Sequence, residues 1–335
     1  MIKIRDSNMK TISIMTKFAV TIVFICTFML LFGCNKSDSI SVKPLTSEMV
    51  IDQTNRQYTF GIIYPMAHPF YEMITQNAQK TADSIGSKLI VKAPDEANLE
   101  QQIRMMETMI KQEVDAIAIA PIDAEALEPT ITKAISKGIS IICFESDCPN
   151  TGRSTYIGSD NEQAGIELGR VITEKLNGKG MILVQIGMSS MSSVEQRLIA
   201  MTNYLEKHSD IQILDVRAHE GSSELALTDL EEMIDNHPHF DAYIAMDPVS
   251  ISEAVLVWKA MGLNRHAIAF GMTHEVREAM INGQITTIVY GYEQLWGDHI
   301  VQSLLKAVKN EQINNFEILD ISTVTKTEIE LLPEF

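Results

Sequence analysis

The chain has 335 residues, 27 Lys+Arg against 44 Asp+Glu, and a net charge of −17 at pH 7. Without residues 1–33, which hold four of the bases and one of the acids, 23 bases face 43 acids and the net charge is −20; so acidic a surface repels nucleic acid and anionic lipid. About 300 residues remain, more than one core comfortably serves, so two lobes are expected.

The N-terminus reads as a targeting segment. Lys3, Arg5, Lys10 and Lys17 form a basic lead, diluted by Asp6, and Phe18–Phe32 is an almost unbroken apolar run. Its length, about 15 residues, falls short of the roughly 20 that a membrane-spanning helix needs. The run ends Leu31-Phe32-Gly33-Cys34. This resembles a bacterial lipobox, although Phe32 is bulkier than usual; the resemblance implies cleavage after residue 33 and lipidation of Cys34. Residues 34–56 are then a polar tether. Of the four cysteines, too few for a disulfide scaffold, Cys26 lies in the leader and Cys34 at the lipid site. Cys143 and Cys148 are left as two thiols or one bridge: a compartment outside the cytoplasm permits a disulfide, while strand geometry holds such a pair apart.

From Tyr58 onward short apolar strands alternate with amphipathic helices. Strand Tyr58–Tyr64 leads to His68-Pro69 and a helix reaching Gly86; Pro fits the first helical position, where its missing N–H costs nothing. Strand Leu89–Val91 precedes a helix capped by Asn98. Strand Ala116–Ala120, helix Glu125–Lys137, strand Ser140–Phe144 and strand Tyr156–Ser159 follow, and Asp160 with Gln163 has capping-box spacing. A second series has the same rhythm: helix Glu162–Leu176, strand Met181–Ile186, helix Val194–His208, strand Ile211–Arg217, helix Ser223–Asn236, strand Ala242–Ala245, helix Val249–Met261, strand Ala267–Phe270, helix Glu275–Asn282 and strand Thr286–Tyr290. A long helix over about Glu293–Lys309 and a single strand-like segment near Ile318–Thr325 close the chain. Such repeats build parallel sheets buried on both faces, with ligands beyond the carboxyl ends of the strands. Asp123, Glu145 and Asp147 stand at those ends.

Two blocks, FESDCP (Phe144–Pro149) and YIGSDNEQAG (Tyr156–Gly165), resemble the "FDSD.P" and "Y.GTDN..AG" blocks of the type 1 periplasmic binding proteins, the sugar-binding components of ABC importers. The likeness runs from about Tyr58 to Glu328. It implies an α/β fold of two doubly wound parallel-sheet lobes joined by a three-crossing hinge. The crossings are expected near Ser159–Asn161, Tyr290–Glu293 and Leu319–Ser322, giving one lobe from 57–160 plus 291–318 and another from 161–290 plus 319–335. Ligand is expected between the lobes, trapped by their closure.

The resemblance also implies the site. YPMAHPFY (Tyr64–Tyr71) matches a block whose two aromatics grip a sugar, here Phe70 and Tyr71; His68 replaces an Asn-like residue and serves as ligand contact or helix cap. Glu145 takes the place of a strand-end Asp, one methylene longer, and Asp147 assists it or caps a turn. In VEQRLIAM, Arg197 aligns with a ligand-binding Arg, able to donate two parallel hydrogen bonds, and Glu195 replaces an Asn. Asp247 stands at a position often Asn, and Tyr290 at one often Gln. Gly271 stands where a ligand-binding Asp is common, and a bare glycine offers no acceptor. Trp296, Met188 and Met191 read as packing more than as contacts. The expected ligand is therefore a polyol, a different monosaccharide or an amine-bearing relative rather than ribose held in the familiar way.

No GxSxG, HExxH or phosphate-binding GxxxxGK[ST] motif is present, so no catalytic residue, metal or cofactor is assigned and an enzyme is not expected. A transcription regulator of the same fold is excluded by the acidic charge and by a leader where a DNA-binding helix pair would stand. The expected partners are a sugar or polyol, an ABC permease and the membrane through the lipid anchor, in an extracytoplasmic location; the alternative is a sensory lipoprotein presenting ligand to a receptor or histidine kinase.

Overall fold

The computed structural model describes residues Arg56–Leu331; the leader, Cys34 and almost all of the tether lie outside them. The chain first lays down β1 (Thr59–Ile63), α1 (Pro69–Ser84), β2 (Lys88–Lys92), α2 (Leu99–Lys111), β3 (Ala116–Ile119), α3 (Ala124–Ser136), β4 (Ser140–Phe144) and β5 (Thr155–Ser159). It continues through α4 (Asn161–Lys175), β6 (Lys179–Ile186), α5 (Ser192–His208), β7 (Asp210–Ala218), α6 (Ser223–Asn236), β8 (Ala242–Ala245), α7 (Pro248–Met261), β9 (His266–Phe270), α8 (His274–Ile281) and β10 (Thr287–Tyr290). A 3₁₀ turn (Glu293–Leu295), α9 (Trp296–Val308), β11 (Phe316–Leu319), β12 (Ser322–Thr325) and α10 (Lys326–Ile329) complete it.

Two six-stranded sheets result, ordered β11-β5-β4-β3-β1-β2 and β12-β10-β9-β8-β6-β7. All pairings in the first are parallel. In the second only β12 runs antiparallel, against β10. The chain passes from one sheet to the other after β5, returns after β10 and passes over again between β11 and β12. These are the three crossings of a hinged pair of lobes.

Strand chemistry explains the layering. Every residue of β3, Ala-Ile-Ala-Ile, is buried. Ile117 and Ile119 join Met106, Met109, Leu127 and Ile131 on one face, and Ala116 and Ala118 join Ile74, Ile300 and Leu304 on the other. Each buried isoleucine contributes about 1.5–3 kcal/mol over an exposed one. Asn98 and Asp160 cap helices as expected, their side chains accepting from the N–H of Gln101 (2.9 Å) and Gln163 (3.0 Å), and Asp123, read only as a strand-end acid, also caps a helix, accepting from Ala126 N–H (2.9 Å).

Two expectations change. The segment near Ile318–Thr325 is not one strand but two, β11 and β12, in different sheets. The long helix begins instead with the 3₁₀ turn, entered through Tyr292 in a left-handed conformation (φ 54°). Cys143 and Cys148 are buried free thiols, and Cys148, together with burial, pushes the Cys143 thiol up from its usual range. Among the described residues, no helix is long and apolar enough to cross a membrane, and no group of three or more His, Cys, Asp or Glu is placed to hold a metal ion.

Candidate functional site

The carboxyl ends of both sheets face each other across the crossings, and the polar residues there come from both lobes. On the first lobe β4 ends at Glu145, whose backbone is left-handed (φ 61°). A residue with a side chain adopts this at a cost of order 1–3 kcal/mol, so the surroundings must hold it. They do: the Glu145 N–H donates to Ile157 O (3.0 Å), and the Tyr156 hydroxyl donates to Glu145 O (3.0 Å). The reversal aims the carboxylate at Tyr71, whose hydroxyl donates to Oε2 (2.9 Å) and Oε1 (3.2 Å). The Tyr71 ring stacks on Tyr64, centroids 4.9 Å apart, and Phe70 meets Trp296 edge to face at 6.2 Å. Burial pushes the Glu145 carboxyl up to about 7, against the pull of Tyr71 and Arg197 and with help from Glu293 and Asp247.

On the second lobe Arg197, in the second turn of α5, is 5% exposed and lays its guanidinium on the Phe270 ring, 3.8 Å from the centroid. Its Nη1 donates to Met246 O (3.2 Å), while Nε has no partner. Asp247 caps α7, its Oδ1 accepting from the N–H of Val249 (2.9 Å) and Ser250 (3.1 Å). The Ser250 hydroxyl donates to Oδ2. The Gly221 N–H donates to His219 Nδ1 (3.1 Å), which leaves the imidazole proton on Nε2, facing Asp247 Oδ1 at 3.0 Å. Burial works to raise the Asp247 carboxyl, but His219 and these hydrogen bonds overcome it and hold it below the usual range.

The hinge supplies the third side. Glu293 is 1% exposed; its Oε1 accepts from Gly291 N–H (2.9 Å) and its Oε2 has no partner. Burial raises its carboxyl above the usual range, opposed by nearby backbone N–H groups and by Arg197. Gly291 makes room for Ser159: a Cβ there would lie 1.9 Å from Ser159 Oγ, on the neighbouring crossing.

Two small cavities lie among these groups. One, about 30 Å³, is lined by Phe70, Ser159, Arg197, Phe270, Glu293 and Trp296, among others; a second, about 20 Å³, by Met66, His68, Tyr71, Met188, Met191 and His219, among others. Glu145, Val194, Asp247 and Pro248 line both. A ligand site for a small molecule runs to about 300 Å³ or more, so the lobes must part for a sugar ring to enter. They touch directly here: Ser190 Oγ donates to Ile122 O (2.9 Å), Ser146 and Ser192 hydroxyls share a hydrogen bond (2.9 Å), and Gly221 sits against Ala97 and Met66.

A family model described as "Periplasmic binding protein domain" matches residues 61–312. The chain belongs to that family. Members of this family bind solutes outside the cytoplasm and are not enzymes. Among curated relatives, the ribose import binding protein RbsB of Bacillus subtilis is 24% identical over 231 residues, 68% of this chain and 73% of that protein. Among solved structures, an ABC transporter solute-binding protein from Burkholderia graminis in complex with D-arabinose has a TM-score of 0.77 at 23% identity, covering 83% of this chain and 98% of that one. GanP, a glucose-galactose binding protein from Geobacillus stearothermophilus, has a TM-score of 0.75 at 18% identity, covering 82% and 99%.

In this binding-protein frame His68, Phe70, Tyr71, Glu145, Arg197 and Asp247 meet at the two cavities. His68 does both things expected of it, capping α1 through Nδ1 (3.2 Å to Phe70 N) and lining the second cavity. Three expected residues do not reach the cavities. Asp147 spends its carboxylate on Arg153, whose Nη2 donates to Oδ2 (2.6 Å) and whose Nε reaches Oδ1; it lines a separate groove with Glu125 and Gln196. Glu195 is exposed, because helix positions two apart point to opposite sides and Arg197 takes the inward one. Tyr290 shares its strand face with Ile288 and turns into the second lobe's core with Tyr243 and Trp258, since alternate strand residues face alike. Contributors the sequence did not reveal are Glu293, Ser159, Asn161, Phe270 and His219; Trp296, Met188 and Met191, read as packing, line the cavities as well. Only the crossing position of Ser159, Asn161 and Glu293 hinted at a role.

Proposed function

We propose that this periplasmic binding protein is a lipid-anchored solute receptor that closes its two lobes on a sugar-like molecule and hands it to an ABC importer. The observation that carries the reading is the convergence of Glu145, Arg197, Asp247 and Glu293 with Phe70, Phe270 and Trp296 at an interlobe cavity. Flat apolar faces suit the C–H surface of a sugar, and a few fixed polar groups suit its hydroxyls. The relatives named above carry ribose, arabinose and glucose or galactose in their names. Gly271, at the edge of the same cavity, supplies no side-chain acceptor, which supports a ligand other than ribose in its usual pose.

A thermal-shift screen of sugars, polyols, amino sugars and nucleosides tests the ligand class, because a molecule that binds only the folded form raises its stability. A screen in which nucleosides alone shift the transition would overturn it. Cys34→Ala tests the anchor: release, or accumulation of unprocessed precursor, is expected, and an unchanged mature form retained in the membrane would contradict it. Loss of uptake of the identified ligand on deletion supports import. Intact uptake with a lost transcriptional response would turn the reading to a sensory lipoprotein serving a receptor or histidine kinase.

A further inference from the structure

Three residues that line one cavity carry buried polar atoms with no hydrogen-bond partner: Ser159 Oγ, Arg197 Nε and Glu293 Oε2. They come from three places, the first crossing, α5 and the second crossing, so no local turn chemistry explains them. Buried polar groups are nearly always paired, and each exception requires an explanation. The Arg197 Nε–H calls for an acceptor, Glu293 Oε2 for a donor, and the Ser159 hydroxyl accepts either.

The charges narrow the choice. Glu145, Asp247 and Glu293 all face this cavity, and Arg197 is the one Lys or Arg among its lining residues. Asp247 is already engaged by His219, the Ser250 hydroxyl and two helix N–H groups. Glu145 is engaged by Tyr71 and lies in the field of Arg197. Glu293 alone keeps an oxygen, Oε2, with no partner at hydrogen-bonding geometry, although the N–H groups of Met272 and of Glu293 itself lie close enough to favour its ionised form. A neutral hydroxyl would fill that hydrogen bond but bring no countercharge, and burial then disfavours the ionised forms of Glu145 and Glu293, whose carboxyls it already raises. A protonated amine fills the bond and offsets the charge. It would also sit beside the rings of Phe70 and Trp296, surfaces that attract cations, while a ligand oxygen takes the Arg197 Nε–H.

We propose that Glu293 is the specificity-determining contact of this cleft and that it selects a sugar-like ligand bearing a protonated amine, an amino sugar or amino-polyol, over its neutral parent. The inference rests on the sugar-like reading above and adds to it a charge and a contact residue.

The test is calorimetry on the mature protein with matched series: D-glucosamine, D-glucose and N-acetyl-D-glucosamine; the galacto equivalents; and an aminocyclitol with its parent cyclitol, all at a pH below the amine pKa. At least one amine should bind about tenfold or more tightly than both its parent and its acetylated form. Glu293→Gln should bring that ratio close to one. Glu293→Asp, which keeps the charge, should retain the preference in part, and Ser159→Ala should weaken amine and parent alike. Unfolding midpoints of each variant identify a folding defect, and Glu293→Asp keeps the proposal testable if Glu293→Gln does not fold. Equal or tighter binding of the neutral parents, or a preference that survives Glu293→Gln, overturns this proposal and leaves the sugar-like reading standing. Binding by no member of any series overturns both.

Discussion

Glu145 links ligand binding to stability in a way that pH can expose. Its carboxyl titrates near 4.5 in the unfolded chain and at about 7 in the folded one, raised chiefly by burial. The folded state therefore holds the proton more tightly. Stability from this group is complete below the unfolded value and is lost as pH climbs through the folded one. A shift of that size corresponds to about 3 kcal/mol once the group is ionised, at 1.36 kcal/mol per unit. Glu145→Gln is always neutral and keeps an oxygen for the Tyr71 hydroxyl. Without ligand, the variant should match the parent near pH 4 and exceed it by up to about 3 kcal/mol near pH 8, or roughly 5 °C in Tm for a chain of this size. Relative to the parent, its affinity for ligand should fall over the same range, as the parent's carboxyl ionises. Urea or thermal unfolding of both proteins from about pH 4 to about pH 8 gives the difference curve. Subtraction removes contributions from Asp247 and from Glu293, apart from their coupling to Glu145. A flat difference, or a variant less stable than its parent at the alkaline end, would refute the picture of an ionised carboxylate held in the cleft against its own solvation.

Other outcomes follow from contacts already described. Arg197→Ala should weaken ligand binding by at least about tenfold and also lower the unfolding midpoint without ligand, because it removes a buried stack on Phe270 and the one cation that opposes Glu145, Asp247 and Glu293; calorimetry and a melt measure the two. Gly291→Ala should destabilise by about 1–3 kcal/mol through its clash with Ser159, and Ser159→Ala in the same chain should recover much of it, since the next contact is 3.2 Å away; denaturation of the double-mutant set reads the coupling. Gly221→Ala puts a methyl 2.6 Å from the Ala97 Cβ across the cleft. It should hold the lobes apart and weaken binding, seen as a larger radius by small-angle scattering, with partial restoration by Ala97→Gly.

The lobes were legible because buried parallel strands are short, apolar and bounded by polar caps: Ala-Ile-Ala-Ile in β3 and Ser-Ile-Ile-Cys-Phe in β4 admit few other readings. The split between β11 and β12 was not, because Asp320-Ile321 carries neither Gly nor Pro to mark a change of sheet. In the site, the strand-end position exposed Glu145, but its partner Tyr71 lies 74 residues away and only folding joins them. Asp147 failed as a candidate because Arg153, six residues on, reaches back through a loop whose path no periodicity describes. Glu195 could have been rejected from helical geometry alone. Glu293 escaped notice because the left-handed turn that buries it begins at Tyr292, not at a glycine.

The third crossing also governs the order in which this protein can finish folding. β11 completes the first sheet by pairing with β5, and β12 completes the second by pairing with β10, so both sheets wait for strands that follow Asn315. Until those residues leave the ribosome, β5 and β10 are open edges, able to recruit a strand from another chain. A product shortened before Phe316 would keep every residue of the cleft yet lack both closing strands. Its fate would be aggregation rather than weakened binding.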